Sequence, residues 1–446
     1  MTSVRRWIRV HDKDARRDAP AQSGERALSL AAAYTAGCAA VSQLGLDYEL
    51  SPLLDADPGA WVCKLSLGGK RLPRGVGGGK GASAAARVGA LFESLEHHLS
   101  GLDGIDTTCL DLRPAPVVAG GPLARDVAVG MLAEGGTEEI ACWSFRSLVE
   151  PRDEVDVPVF LSLPEYAGAE GNGLRRQLGD RYDYTRVGRY ACNSGWAAGS
   201  DPVEAAVHAL NEAIERDAHS LLLVDQFLHR RSPLRVIAPD SLPAELSGLL
   251  VRAEEITNST VHLIDMTSDA GIPAVLAFLP PVPGQPARIR GCGASLSRGY
   301  AIERSLTELV QLYLGEVSDP MVTPPPDQTL PYPVFHACRL GDFSPFLEQA
   351  VSVTFSETQV PDTPREHLAQ IIKTLSTHGF TPYLREHTVL DGFAVVNVMV
   401  PGLERFMLIT DGIFVVPGQR ALQVRPQNRE TDVRHLEIPA LERSVR

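Results

Sequence analysis

Apolar and polar positions follow two periods along this chain, and the switches between them mark its elements. Residues 27–44 run in alanine and leucine without proline, which predicts a helix. Residues 61–67 alternate as a strand, 75–81 are dense in glycine, and 82–99 read as a second helix. Further helices are predicted at 203–224, 299–314 and 365–378. Strand-like runs fall at 155–162, 261–266, 273–279, 394–400 and 406–410. Residues 165–179 hold glycines, acids and arginines with little apolar patterning, and read as a mobile loop. Residues 319–333 carry six prolines and read as a rigid crossover. Residues 1–26 are polar and charged and read as an arm. Strands interleaved with helices predict an α/β fold.

Three of the helices share one pattern. Ala86 to Glu96, Ala205 to Glu215 and Ala301 to Gln311 align as small, Leu, any, Glu, any, aliphatic, Glu or Gln. Each follows a glycine-bearing segment, so the repeat marks a structural unit. Positions three apart share a helix face, so Glu93 points with Glu96, and Glu212 with Glu215. Paired carboxylates repel, and a cation removes the conflict. Magnesium takes oxygen ligands and leaves room for phosphates. The bland alternative is a solvated acidic face, and the shared register behind glycine turns argues against it.

Gly77 to Gly81 invites a P-loop reading, which fails. Arg74 stands where the first glycine belongs, and Gly81 where Ser or Thr must follow the lysine. The segment could still be a phosphate cradle or a simple tight turn, with Lys80 adding one charge.

Composition narrows the picture. Of 446 residues 44% are hydrophobic, enough for a large core, and a net charge of −13 favours no nucleic-acid partner. Cys38, Cys63, Cys109, Cys142, Cys192, Cys292 and Cys338 are odd in number with no C-x-x-C pair. They are expected as core residues in a reducing, cytoplasmic setting. The apolar run 272–280 is far short of the roughly 20 residues that span a bilayer, so no membrane is expected.

Taken together, these segments resemble the YcaO superfamily. The matching motifs are Gly78-Gly79-Lys80-Gly81 leading to Glu93 and Glu96, then Asn193 to Gly199 with Glu204 and Glu212-Ala213-Ile214-Glu215-Arg216-Asp217. The third is Arg304-Ser305-Leu306-Thr307-Glu308-Leu309-Val310-Gln311, with Pro401 to Glu404 beyond it. The resemblance implies a large α/β unit with internally repeated strand/helix elements around a non-Walker ATP site. It implies domain limits of 27–415 for the catalytic domain and 416–446 for a tail. Glu93, Glu96, Glu212 and Glu215 would hold Mg2+ against ATP, while Glu204, Arg216, Arg304 and Lys80 would help bind the nucleotide.

The implied chemistry is ATP-dependent activation of a backbone amide in a ribosomally made precursor peptide. A nucleophile adds to the carbonyl carbon, ATP phosphorylates the oxygen, and phosphate leaves. The products are thiazoline, oxazoline or macrocyclic amidine. Thioamide formation with a sulfur-delivery partner protein, and a non-catalytic scaffold, stay open. A homodimer is also implied. Two departures stand out. Gly89 and His97 replace the usual Ser and Arg, and the end at Arg446 lacks the Pro-x-Pro-x-Pro tail of many azoline-forming members.

Overall fold

A computed structural model describes residues 24–150, 152–282, 289–318 and 326–423. Most of the expected arm (1–23), part of the proline-rich crossover (319–325) and most of the tail (424–446) lie outside the described residues. No described helix is long and apolar enough to cross a membrane.

The described chain builds three sheets and six helices of 14 residues or more. Helix α1 (Leu30–Gln43) leads into an antiparallel meander of β1 (Asp47–Leu54), β2 (Gly59–Leu67) and β3 (Lys70–Gly81), closed by α2 (Ser83–Leu99). The second sheet runs β4 (Leu110–Pro114), β5 (Glu139–Ser147), β13 (Tyr383–Leu390), β14 (Phe393–Met399), β7 (Trp196–Gly199), with β6 (Glu154–Pro158) paired to β5. Helix α3 (Pro202–Leu223) packs on β14 and β7. The third sheet runs β11 (Arg290–Ala294), β10 (Ala274–Phe278), β9 (His262–Asp265), β8 (Arg235–Ile237), β12 (Val351–Val353). Helices α4 (Ala244–Thr257) and α5 (Arg298–Ser318) cover it with Leu246, Leu250, Ile302, Leu306 and Leu309. Helix α6 (Pro364–Thr377) packs on α3.

The repeat seen in the sequence is a strand lying against the helix that follows it: β3 with α2, β7 with α3, β11 with α5. The glycines state how tightly. A Cβ on Gly79 would sit 1.7 Å from the Ala86 carbonyl oxygen, and one on Gly77 2.1 Å from the Ser94 nitrogen. A Cβ on Gly293 would sit 2.2 Å from the Ala301 oxygen, and one on Gly291 2.0 Å from the Ser305 oxygen. Gly79 and Gly293 thus meet the same repeat position, as Ala86 and Ala301 align. Backbone touches backbone in both units, so no side chain fits between.

The glycine run is therefore the second half of a strand, not the expected turn. Strand alternation explains its length: Gly77 and Gly79 face α2, while Gly78 faces α5, where a Cβ would lie 2.2 Å from Gln311 Nε2. Lys80 follows on the Gly78 face and reaches Glu308, one turn before Gln311 on α5. Only Gly81, at φ +112°, turns the chain into α2.

Four other expectations are corrected. Residues 165–179 form two short helices, Pro164–Ala167 and Asn172–Leu178, the second ended by Gly179 in the left-handed region. Arg175 organises them by bonding the Tyr166 carbonyl and stacking 5.2 Å from the Tyr184 ring. The strand expected at 406–410 is a 3-10 helix, Phe406–Asp411, whose buried Phe406 and Ile409 are three apart. The strand expected at 155–162 ends at Pro158. Of the seven cysteines five are buried as expected, but Cys38 is half-buried and Cys109 exposed.

Gly79→Ala is predicted to destabilise the fold by about 2 kcal/mol or more, because the clash is with backbone that cannot rotate away. Denaturant unfolding measures this. An unchanged midpoint would show that β3 and α2 are not locked together.

Candidate functional site

Helices α2, α3 and α5 present the repeated Glu positions to one another. Glu93 and Glu96 come from α2, Glu212 and Glu215 from α3, and Glu308 and Gln311 from α5. Burial, then the like charges of Glu212 and Glu93, push the Glu96 carboxyl up to about 8. Burial, then Glu308, push Glu215 up to about 7. Burial also raises Glu93. Glu308 goes the other way: burial alone would raise it, but Lys80 as charge and hydrogen-bond donor holds it below the usual carboxylate range.

Cations thread the cluster without neutralising it. Arg216 Nη2 lies 2.8 Å from Glu212 Oε1, one turn away on α3. Lys80 pairs with Glu308, and the Cys292 backbone N–H donates to Glu308 Oε1 at 3.2 Å. The Ala198 N–H at β7 donates to Glu96 Oε2 at 2.8 Å. Arg304 Nη2 lies 3.4 Å from His208 Nε2. Burial and the charges of Arg304, Arg26 and Lys80 keep His208 neutral, with its pKa well below the ordinary histidine value. Among the described residues, Arg216 Nη1 and Arg304 Nε are buried without a hydrogen-bond partner. The side chains of Lys80, Glu308, Arg216 and Glu212 remain 20–25% exposed, so the cluster opens to solvent.

The donor set fits what a metal–nucleotide pair requires. Five carboxylates with few counter-charges offer oxygen-only ligands suited to Mg2+. The guanidinium N–H groups of Arg216 and Arg304 beside them offer donors to phosphate oxygens.

Of the residues picked from the sequence, Glu93, Glu96, Glu212, Glu215, Lys80, Arg216 and Arg304 converge here. Glu204 stands apart. Its buried carboxylate accepts from Arg26 Nη1 at 3.1 Å, the Ala27 N–H at 2.9 Å and Ser200 Oγ at 2.5 Å. It clasps the end of the polar arm to α3 and meets the cluster through Arg26, whose charge acts on His208 and Arg304. The preceding Glu25 is buried too, bonded to Ser295 and Asn211.

Sequence reasoning missed four residues. Glu308 stood in the repeat register of Glu93 and Glu212, so its signal was present. His208 lay inside the repeat without a distinguishing mark. Glu25 and Arg26 sat in a stretch that looked like solvated arm, with no signal to find them by.

The chain is similar to known proteins. The family model described as YcaO cyclodehydratase, ATP- and Mg2+-binding, matches residues 136–404. The chain belongs to the YcaO family, and ATP and Mg2+ are the cofactors this membership assigns. The matched span holds Glu204, Glu212, Glu215, Arg216, Arg304 and Glu308. Lys80, Glu93 and Glu96 precede it and join the site by the fold.

Two curated relatives are each 28% identical. An uncharacterised protein in the tfuA 3′ region of Rhizobium leguminosarum bv. trifolii aligns over 52% of this chain and 56% of its own length. An uncharacterised protein of Methanothermobacter thermautotrophicus aligns over 48% and 56%. The chain thus spans just over half the length of the curated relatives it matches. Among solved structures, YcaO from Methanopyrus kandleri bound with AMPPCP and Mg2+ is similar at TM-score 0.62 and 18% identity, covering 88% of this chain and 96% of that one. A heterocyclase in complex with substrate and cofactor is similar at 0.60 and 19%, covering 86% and 53%. The E. coli microcin synthetase McbBCD complex is similar at 0.54 and 13%, covering 80% and 88%. These likenesses show the fold.

Glu204→Ala is predicted to free residues 24–27 and speed tryptic cleavage after Arg26. Cleavage as slow as in the wild type would show that Glu204 does not hold the arm.

Proposed function

We propose that this chain activates a backbone amide of a ribosomally made precursor peptide by ATP-dependent phosphorylation of its oxygen, forming an azoline or a macrocyclic amidine. The observation that carries the reading is the convergence of carboxylates from three helices with Lys80, Arg216 and Arg304 in one half-buried cluster. Magnesium-bound ATP supplies the phosphoryl group and its charge neutralisation.

The residues of the chain supply position and electrostatics. Glu93, Glu96, Glu212 and Glu215 would hold the metal, and Glu308 lies beside them. Arg216 Nη1 and Arg304 Nε are donors with no partner among the described residues, and would take phosphate oxygens. His208, kept neutral, adds no charge of its own beside Arg304. The chemistry needs no protein nucleophile, because the peptide or a second substrate provides it. Residues 27–415 would form the catalytic domain, acting in the cytoplasm as a homodimer. The filled carboxylate set counts against a non-catalytic scaffold.

A second reading, thioamide formation with a partner protein, draws on one observation. The Rhizobium relative is named for its place beside another gene, tfuA, and a neighbouring gene is where a dedicated partner would be encoded.

The test incubates the protein with ATP, Mg2+ and short peptides encoded beside its gene. Mass spectrometry reads the product: loss of water supports azoline or amidine formation, and exchange of oxygen for sulfur supports the thioamide. No change in any peptide, with ATP still bound, would contradict the reading. Glu212→Gln is predicted to abolish ATP hydrolysis with an unchanged circular dichroism spectrum, and full hydrolysis would sink the carboxylate-cage assignment.

A further inference from the structure

One donor in the cluster has no place in magnesium chemistry. Strand β11 reads Arg290-Gly291-Cys292-Gly293-Ala294, and its two glycines lie on the backbone of α5. Strand alternation turns the intervening Cys292 to the opposite face, where β11 meets α3. Cys292 is buried, 8% exposed as a residue. Cys292 Sγ and carboxylate oxygens of Glu215 and Glu308 all lie within 4.8 Å of one another. Glu215 makes no ion pair among the described residues, and Glu308 is steadied by the Cys292 N–H at 3.2 Å. Three elements, α3, β11 and α5, each deliver one ligand atom to a common point.

This donor set is oxygen, oxygen, sulfur. Mg2+ takes oxygen ligands and would use the carboxylates alone. A borderline or soft divalent cation gains from the sulfur, and Zn2+ accepts mixed carboxylate and thiolate ligands at short range. Three protein ligands leave a coordination position open.

We propose that Cys292, Glu215 and Glu308 form a binding site for a thiophilic divalent cation, Zn2+ in particular, which overlaps the magnesium site at Glu215 and competes with it. Binding releases the thiol proton to solvent and places a metal–sulfur bond where magnesium would leave the sulfur idle. Lys80 gives up its hold on Glu308 in the same event, since ammonium and metal claim one carboxylate. The proposal rests on the metal reading of α3 for the competition, and on the Glu–Cys–Glu geometry alone for the binding.

The test titrates Cd2+, a spectroscopic stand-in for Zn2+, into the chelator-stripped whole chain and follows the ultraviolet thiolate-to-cadmium charge-transfer band. The expected result is a band saturating at one Cd2+ per chain, bleached by Zn2+, unmoved by an equal concentration of Mg2+ and lowered by a large excess of it. Cys292→Ser removes the band. Glu308→Gln keeps every thiol and weakens Cd2+ binding by about tenfold. No band in the wild type, an undiminished band in Cys292→Ser, or unchanged affinity in Glu308→Gln would overturn the proposal. Should Cys292→Ser fail to fold, Glu308→Gln still decides. Calorimetry of ATP with Mg2+ separates the two readings: lost nucleotide binding with the cadmium band intact removes only the competition, and the reverse pattern removes only the thiophilic site.

Discussion

Everything at the site depends on helices lying directly on glycine strands. Gly77 and Gly79 hold α2 against β3 with no side chain between, and Gly291 and Gly293 do the same for α5 and β11. Such contacts leave little freedom for a helix to slide or rotate. Each helix projects its Glu residues from fixed positions, so carboxylates from three separate stretches of chain arrive at one place. The third glycine, Gly78, lets α5 approach β3 from the other side, which brings Lys80 to Glu308.

That rigidity has an electrostatic cost, and the cost indicates function. Glu96 and Glu215 are pushed up to about 8 and about 7 by burial and by one another's neighbours. A site selected for stability alone would relieve the repulsion with more arginine or with amides. Here the carboxylates stay, and buried donors on Arg216 and Arg304 stay without a partner among the described residues. Opposite unmet demands, for a cation and for an anion, sit side by side. Magnesium and a triphosphate together answer both.

Much of this was legible in the residues. Long helices with clear periodicity, such as Pro202–Leu223 and Pro364–Thr377, were readable to within a few positions, because amphipathic burial is written in spacing. The paired Glu residues were readable because their register repeats. What was not legible came from tertiary contact. Glycine normally signals a turn, and nothing local shows that Gly77 to Gly79 sit in a strand because two helices press on it. Glu204 matched a nucleotide-binding motif, yet its carboxylate is taken by Arg26, Ala27 and Ser200. Residues 406–410 carried an apolar run that suits strand and helical turn equally, and packing against α3, where the Met407 N–H donates to Ser220 Oγ at 2.9 Å, decided the matter.

The central claim is that these carboxylates form a cage that binds nucleotide through a divalent cation. Calorimetric titration of ATP into the purified protein, with and without Mg2+, tests it most directly. The account predicts saturable binding that appears only with Mg2+ and is lost in Glu93→Gln, since α2 must contribute to a cage that α3 alone cannot complete. ATP binding of equal strength in the absence of Mg2+, or unimpaired in Glu93→Gln, would contradict it.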